Sequence, residues 1–245
     1  MHDLFGFAGT ASCDAAFAVA RPSGALFFAP FAASDALHDP ALASVFHVRP
    51  ALADEAYKVT RHCATLNQDR IAVFAEDDAM GRAGLAAVNQ ALIDLKRPPI
   101  LASALSPVNS DKVDGAVAQL MKAQPQAIIQ VSLFNSAAAF IRKMRRAGFG
   151  GQFLTFSVVG IDPLFSALGK KIGGIVISQV VPSPRSTATP IIKETWMCSI
   201  RPTRRRVTRA WNAISPCAAS SKVCGAVHQA AASLIGPACK KPLNP

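Results

Sequence analysis

The stretch Arg70–Leu95, RIAVFAEDDAMGRAGLAAVNQALIDL, decides the fold. Ile71-Ala72-Val73-Phe74 is a short run of branched and aromatic side chains, the length of a strand buried on both faces. Glu76-Asp77-Asp78 and Gly81 make a polar turn, after which Leu85, Val88, Leu92 and Leu95 recur at helical spacing and share one face. Strand, turn and amphipathic helix form half of a βαβ unit. Ligands of open α/β sheets sit beyond the carboxyl ends of such strands, so this turn is the first place to look for function.

Working outward, the same alternation continues in both directions. Toward the N-terminus, Leu4–Gly9 is apolar, Cys13–Ala20 is helix-like with Ser12 placed to cap it, and Ala25–Ala29 and Val45–Arg49 read as strands. Leu52, Ala56, Val59, Cys63 and Leu66 then mark an amphipathic helix. Toward the C-terminus, Ile100–Leu105, Ala127–Val131, Phe153–Ser157 and Ile175–Val181 read as strands. Between them lie helices around Val113–Met121, Phe140–Met144 and Leu164–Leu168, the first with Ser110 as a plausible cap. This predicts an α/β fold with parallel sheets and helices on both faces.

Composition divides the 245 residues in two. The net charge is +11, yet residues 195–245 hold eight Lys or Arg and no acid, leaving the rest of the chain at only +3. Cys198, Cys217, Cys224 and Cys239 also fall in that last segment, against Cys13 and Cys63 before it. A basic chain ordinarily points to an anionic partner, but here the charge belongs to the tail. No apolar run reaches the roughly 18–20 residues of a membrane span, and MHDLFGFAGT does not read as an export signal.

Residue chemistry favours binding over catalysis. Glu76-Asp77-Asp78 could hold Mg²⁺ in a small metal-dependent enzyme or receiver-like domain, but it also reads as a solvated turn favouring the helix dipole behind it. His2, His38, His47, His62 and His228 stand singly, without ligand spacing for a metal. There is no nucleophile elbow, Walker loop or dinucleotide fingerprint. The basic run Arg142–Arg146 sits at a helix C-terminus, where cations are favourable anyway. No catalytic residues, metal or cofactor are expected.

Seven blocks in consistent order carry a resemblance: GTAS (9–12), FFAPFAASDALHDP (27–40), VFHVRPALADEA (45–56), RIAVFAEDDAMGRAGL (70–85), PQAIIQVS (125–132), AAFIRKMRRAGFGGQF (138–153) and GIVISQVVPSP (174–184). Together they resemble the periplasmic leucine/isoleucine/valine-binding family, the type I substrate-binding proteins of ABC importers. The resemblance implies two α/β lobes closing on a small solute such as an amino acid, amide or carboxylate. It implies an ABC permease as partner in an intact relative, with no nucleic acid and no membrane insertion. It implies a periplasmic location, although the chain as written, without a signal peptide, would be cytoplasmic.

On that plan, residues 1–68 are a partial lobe 1, 69–182 a complete lobe 2, 183–194 the hinge return and 195–245 a non-native tail. The expected ligand contacts on lobe 1 are Gly9, Thr10, Ala11, Ser12, Phe31, Ala32, Ala33 and Ser34, whose hydroxyls and amides suit a carboxylate. On lobe 2 they are Met80, Leu133, Phe134 and Ser157. Amino-acid binders of the family often place an aromatic near Met80 and an acid near Ser157 to hold the ammonium; the sequence shows neither, which speaks against a branched-chain amino acid as the ligand. With lobe 1 truncated, the chain is expected to bind any family ligand weakly or not at all. The tail reads as a frameshift after Glu194. Restoring one nucleotide lets Thr195–Ile200 read YMDVLD, so that KET becomes KEY, and Trp211–Val227 can become the apolar helix-like LECHIAVRGFVEGLRRC.

Overall fold

The computed structural model describes residues 3–32, 35–169 and 173–180, so the expected hinge return and altered tail lie outside the described residues. Two parallel sheets are present. The smaller joins β1 (Leu4–Phe5), β2 (Phe27–Phe28) and β3 (Val45–Phe46) in that order, extended by a parallel bridge between Ala8 and Phe31. The larger joins β4 (Ile71–Glu76), β5 (Ala102–Ser106), β6 (Ala127–Val131), β7 (Gln152–Thr155) and β8 (Ile175–Ile177) in the order β5-β4-β6-β7-β8, parallel throughout. The α/β class read from the sequence holds.

Strand β4 explains the larger sheet. All six of its residues are buried, as a central parallel strand requires. Ala72 and Phe74 face the helices α4 (Asp114–Ala123), α5 (Phe134–Arg146) and α6 (Ile161–Leu168), where the Phe74 and Phe140 rings stack 4.0 Å apart. Ile71, Val73 and Ala75 face α2 (Leu52–Thr65) and α3 (Ala79–Asp94). Leu52, Ala56, Val59 and Cys63 of α2 share that core, so α2 packs on the larger sheet. A division at Gln68 would cut this core.

The smaller sheet is held by less. Its core is Cys13, Phe27 and Leu37, with Phe17 of α1 (Thr10–Ala20) stacked on Phe27. Helix α1 starts three residues before Cys13: Gly9, at φ 97°, is its N-cap, and Ser12 lies in its first turn rather than capping it. Ser110 likewise does not cap α4, whose N-cap is Val113, but accepts from the Lys112 amide at 3.2 Å.

Burial governs two glycines and two cysteines. A Cβ on Gly81 would stand 1.9 Å from the Glu76 carbonyl oxygen, because α3 turns back directly over the end of β4. Gly→Ala in a helix ordinarily stabilises by about 1 kcal/mol, and overpacking against backbone costs about 1–3 kcal/mol. With an overlap this deep the clash wins. Gly81→Ala should therefore lower the denaturation midpoint in urea, and an unchanged or raised midpoint would refute the close approach. The same measurement on Gly84→Ala, whose Cβ would meet Val131 side-chain carbons at 2.5 and 2.8 Å, should also show a loss.

Burial pushes the Cys63 thiol up to about 12 and that of Cys13 upward as well. Both side chains are fully buried, so neither presents a thiolate at neutral pH. Native-state alkylation followed by peptide mass spectrometry should leave Cys13 and Cys63 unmodified until denaturant is added. Rapid labelling of Cys63 in the native chain would contradict the packing of α2.

Candidate functional site

A cavity of about 480 Å³ opens where the carboxyl ends of the two sheets meet. On the larger sheet this is the switch point, where β5 and β6 lie on opposite sides of β4, the place at which doubly wound sheets bind ligands. One wall comes from the smaller sheet. After β1 the chain runs through Ala8 and Gly9, whose amide donates to the Phe31 carbonyl at 2.9 Å. Helix α1 then begins without a side-chain cap, and Thr10, Ala11 and Ser12 of its first turn line the cavity beside Phe31 and Ala32. The amino end of such a helix favours an anion.

The opposite wall is the end of the larger sheet. Asp78 caps α3 by accepting from the Gly81 amide at 2.7 Å, and Ala79, Met80, Leu133 and Val158 supply apolar surface. The sequence-predicted residues Gly9, Thr10, Ala11, Ser12, Phe31, Ala32, Met80 and Leu133 thus line one cavity. Ala33 and Ser34 lie outside the described residues. Phe134, the first residue of α5, packs against the core under the opposite face of the sheet and is not part of the lining.

Ser157 is drawn into a polar chain that the sequence did not indicate. The Arg49 guanidinium stacks over the Phe31 ring, 4.1 Å from its centroid, and donates from Nη2 to Ser157 Oγ at 2.6 Å. Ser157 donates in turn from Oγ to Glu55 Oε2 at 3.0 Å, and its amide donates to Glu55 Oε1. Ser178 Oγ donates to the same oxygen at 2.5 Å. Arg49 and Glu55 both line the cavity, and Glu55 is buried. Burial pushes the Arg49 guanidinium below its ordinary value, while the charge of Glu55 works in the other direction. The acid that the sequence lacked beside Ser157 is therefore supplied in space by Glu55 of α2.

The acidic trio divides among three tasks. Glu76 is fully buried and its Oε1 accepts from the amides of Asn109 and Leu133 at 2.9 and 3.2 Å. Asp77 pairs with Arg82 at 2.6 Å on the surface, and Asp78 caps α3. Three carboxylates so engaged do not converge, and no group of three or more His, Cys, Asp or Glu placed to hold a metal occurs among the described residues. Among those residues no helix is long and apolar enough to cross a membrane.

A family model described as periplasmic binding protein matches residues 3–197, ending close to the composition break at Thr195. No curated protein matches the chain. The structure is similar to a possible leucine/isoleucine/valine-binding protein from Rhodopirellula baltica SH 1, with TM-score 0.73 and 26% identity, over 83% of this chain and 56% of that one. It is similar to a substrate-binding periplasmic protein from Ralstonia solanacearum, with TM-score 0.64 and 26% identity, over 75% of this chain and 51% of that one. A leucine-binding protein from Thermotoga maritima shares the fold, with TM-score 0.70 and 15% identity over 79% of this chain and 55% of that one. The chain spans about half the length of these solved structures. With the family model matched over most of its length, the chain belongs to the periplasmic binding protein family.

Proposed function

We propose that the cleft binds a small amphipathic solute with a carboxylate head, an amino acid being the best fit, and that the chain is part of a substrate-binding component serving an ABC importer in the periplasm. The observation that carries this reading is that one cavity brings Arg49 and the uncapped first turn of α1 together with the apolar side chains of Met80, Leu133 and Val158. A few convergent polar groups in an apolar cavity are the ordinary make-up of a small-molecule site. The family membership supports it, as does the leucine/isoleucine/valine-binding name of the similar protein from Rhodopirellula baltica.

The charges fit a zwitterion. Among the described residues Arg49 donates to Ser157, and a guanidinium carries five N–H donors, arranged to match a carboxylate. Asp78 and Glu55 offer negative charge nearby for an ammonium group. Binding proceeds without a catalytic step. The solute favours the closed cleft by touching both walls. The small sheet, with strands of only two residues each, holds its wall loosely, and affinity should be correspondingly modest.

Backbone amide shifts followed during titration with branched-chain amino acids, matched amides and matched amines test the proposal. Acids should move Gly9–Ser12, Arg49 and Leu133, with amides at least tenfold weaker. Arg49→Met should remove about 1.5–3 kcal/mol of that binding, the worth of a hydrogen bond to a charged group, while Arg49→Lys retains part of it. Shifts absent from the cleft for every acid, or equal binding of acids and amides, would contradict the reading.

A further inference from the structure

Beneath the cavity, on the face of the larger sheet that packs against α4 and α5, a row of polar side chains is sealed from solvent. Glu76 lies in register with Ser106 on β5, and Ser132 follows the Ala75–Val131 pair on β6, so the three stand side by side across adjacent strands. Glu76 and Ser132 are 0% exposed and Ser106 3%. Glu76 Oε2, Ser106 Oγ and Ser132 Oγ have no protein partner among the described residues, although the other carboxylate oxygen accepts two backbone amides. One step back along the sheet, Gln130 and Thr155 pair in register and are also fully buried, with the side-chain amide of Gln130 and the hydroxyl of Thr155 equally unpartnered.

Neighbouring strands lie about 4.8 Å apart. That exceeds a direct hydrogen bond between facing oxygens and is the span that one bridging water closes. Two hydroxyls flanking a carboxylate oxygen give such a water the two to four polar partners it needs. We infer that Glu76 is a positioning residue of the cleft, tying the Asn109 and Leu133 turns through Oε1 and anchored at Oε2 by an internal water shared with Ser106 and Ser132. Leu133 lines the cavity, so whatever fixes its amide fixes part of the apolar wall. The link to ligand rests on the proposed binding function; the internal site itself does not.

Amide exchange and water-selective cross-relaxation on the full chain test this without any ligand. Long-lived water cross-peaks are expected at the side-chain protons of Ser106 and Ser132. Glu76→Ala should speed exchange at Asn109 and Leu133 at least about tenfold, since each donates to a charged acceptor, while the amide of Val59 in α2 keeps its protection. Should that variant fail to fold, Ser106→Ala/Ser132→Ala decides. It leaves the Oε1 bonds in place, and should remain folded, lose the water cross-peaks and show faster exchange at the same two amides. Wild-type chain without such cross-peaks, or exchange unchanged in the double variant, would overturn the inference. So would a melting temperature that rises in sodium or potassium over choline at matched ionic strength, since that would assign the site to a cation. If these results stand and no acid perturbs the cleft, the binding proposal falls alone.

Discussion

The constraint on which the rest depends is the approach of α3 to the end of β4. Gly81 sits against the Glu76 carbonyl with no room for a side chain. The Asp78 carboxylate closes the same turn by taking the Gly81 amide. The Glu76 carboxylate, held beneath, reaches the turns after β5 and β6. The short segment Glu76–Gly81 therefore sets the positions of three βα connections. A buried carboxylate is costly unless hydrogen-bonded, and Oε1 meets that need by accepting from two backbone amides.

The second constraint is the chain Arg49–Ser157–Glu55–Ser178. Arg49 lies just before α2 and stacks on Phe31 of the smaller sheet, while its hydrogen bond reaches the turn after β7. The guanidinium thus touches both sheets at the place where the chain passes between them. Glu55 accepts three hydrogen bonds from Ser157 and Ser178 and fixes that turn against α2. Replacing Glu55 by an apolar residue would leave two hydroxyls and an amide to find other partners, a larger penalty than the net worth of one bond.

Much of this was readable in the chain, for identifiable reasons. Strand β4 and helix α3 announce themselves because an all-apolar run of strand length gives way to 3.6-residue periodicity. The expected strand Ala127–Val131 is observed with those bounds. The start of α1 was misplaced because a hydroxyl at Ser12 resembles a cap, whereas Gly9 with positive φ makes the turn. Which sheet α2 packs on was not legible, because periodicity does not say which neighbour its apolar face will meet. Arg49 and Glu55 were missed because their partner Ser157 lies 108 and 102 residues away. A signal existed: Glu55 falls three after Leu52 and four before Val59, on the buried stripe of α2, where a lone carboxylate needs a partner.

On the proposed function, the cleft reads a solute's acid group with Arg49 and packs its apolar part on Met80 and Leu133. A crystal structure grown with a branched-chain amino acid tests it most directly. The account predicts the carboxylate on the free edge of the Arg49 guanidinium beside Thr10–Ser12, and the side chain against Met80 and Leu133. A solute bound away from this cavity, or bound within it with its carboxylate turned from Arg49, would contradict the account.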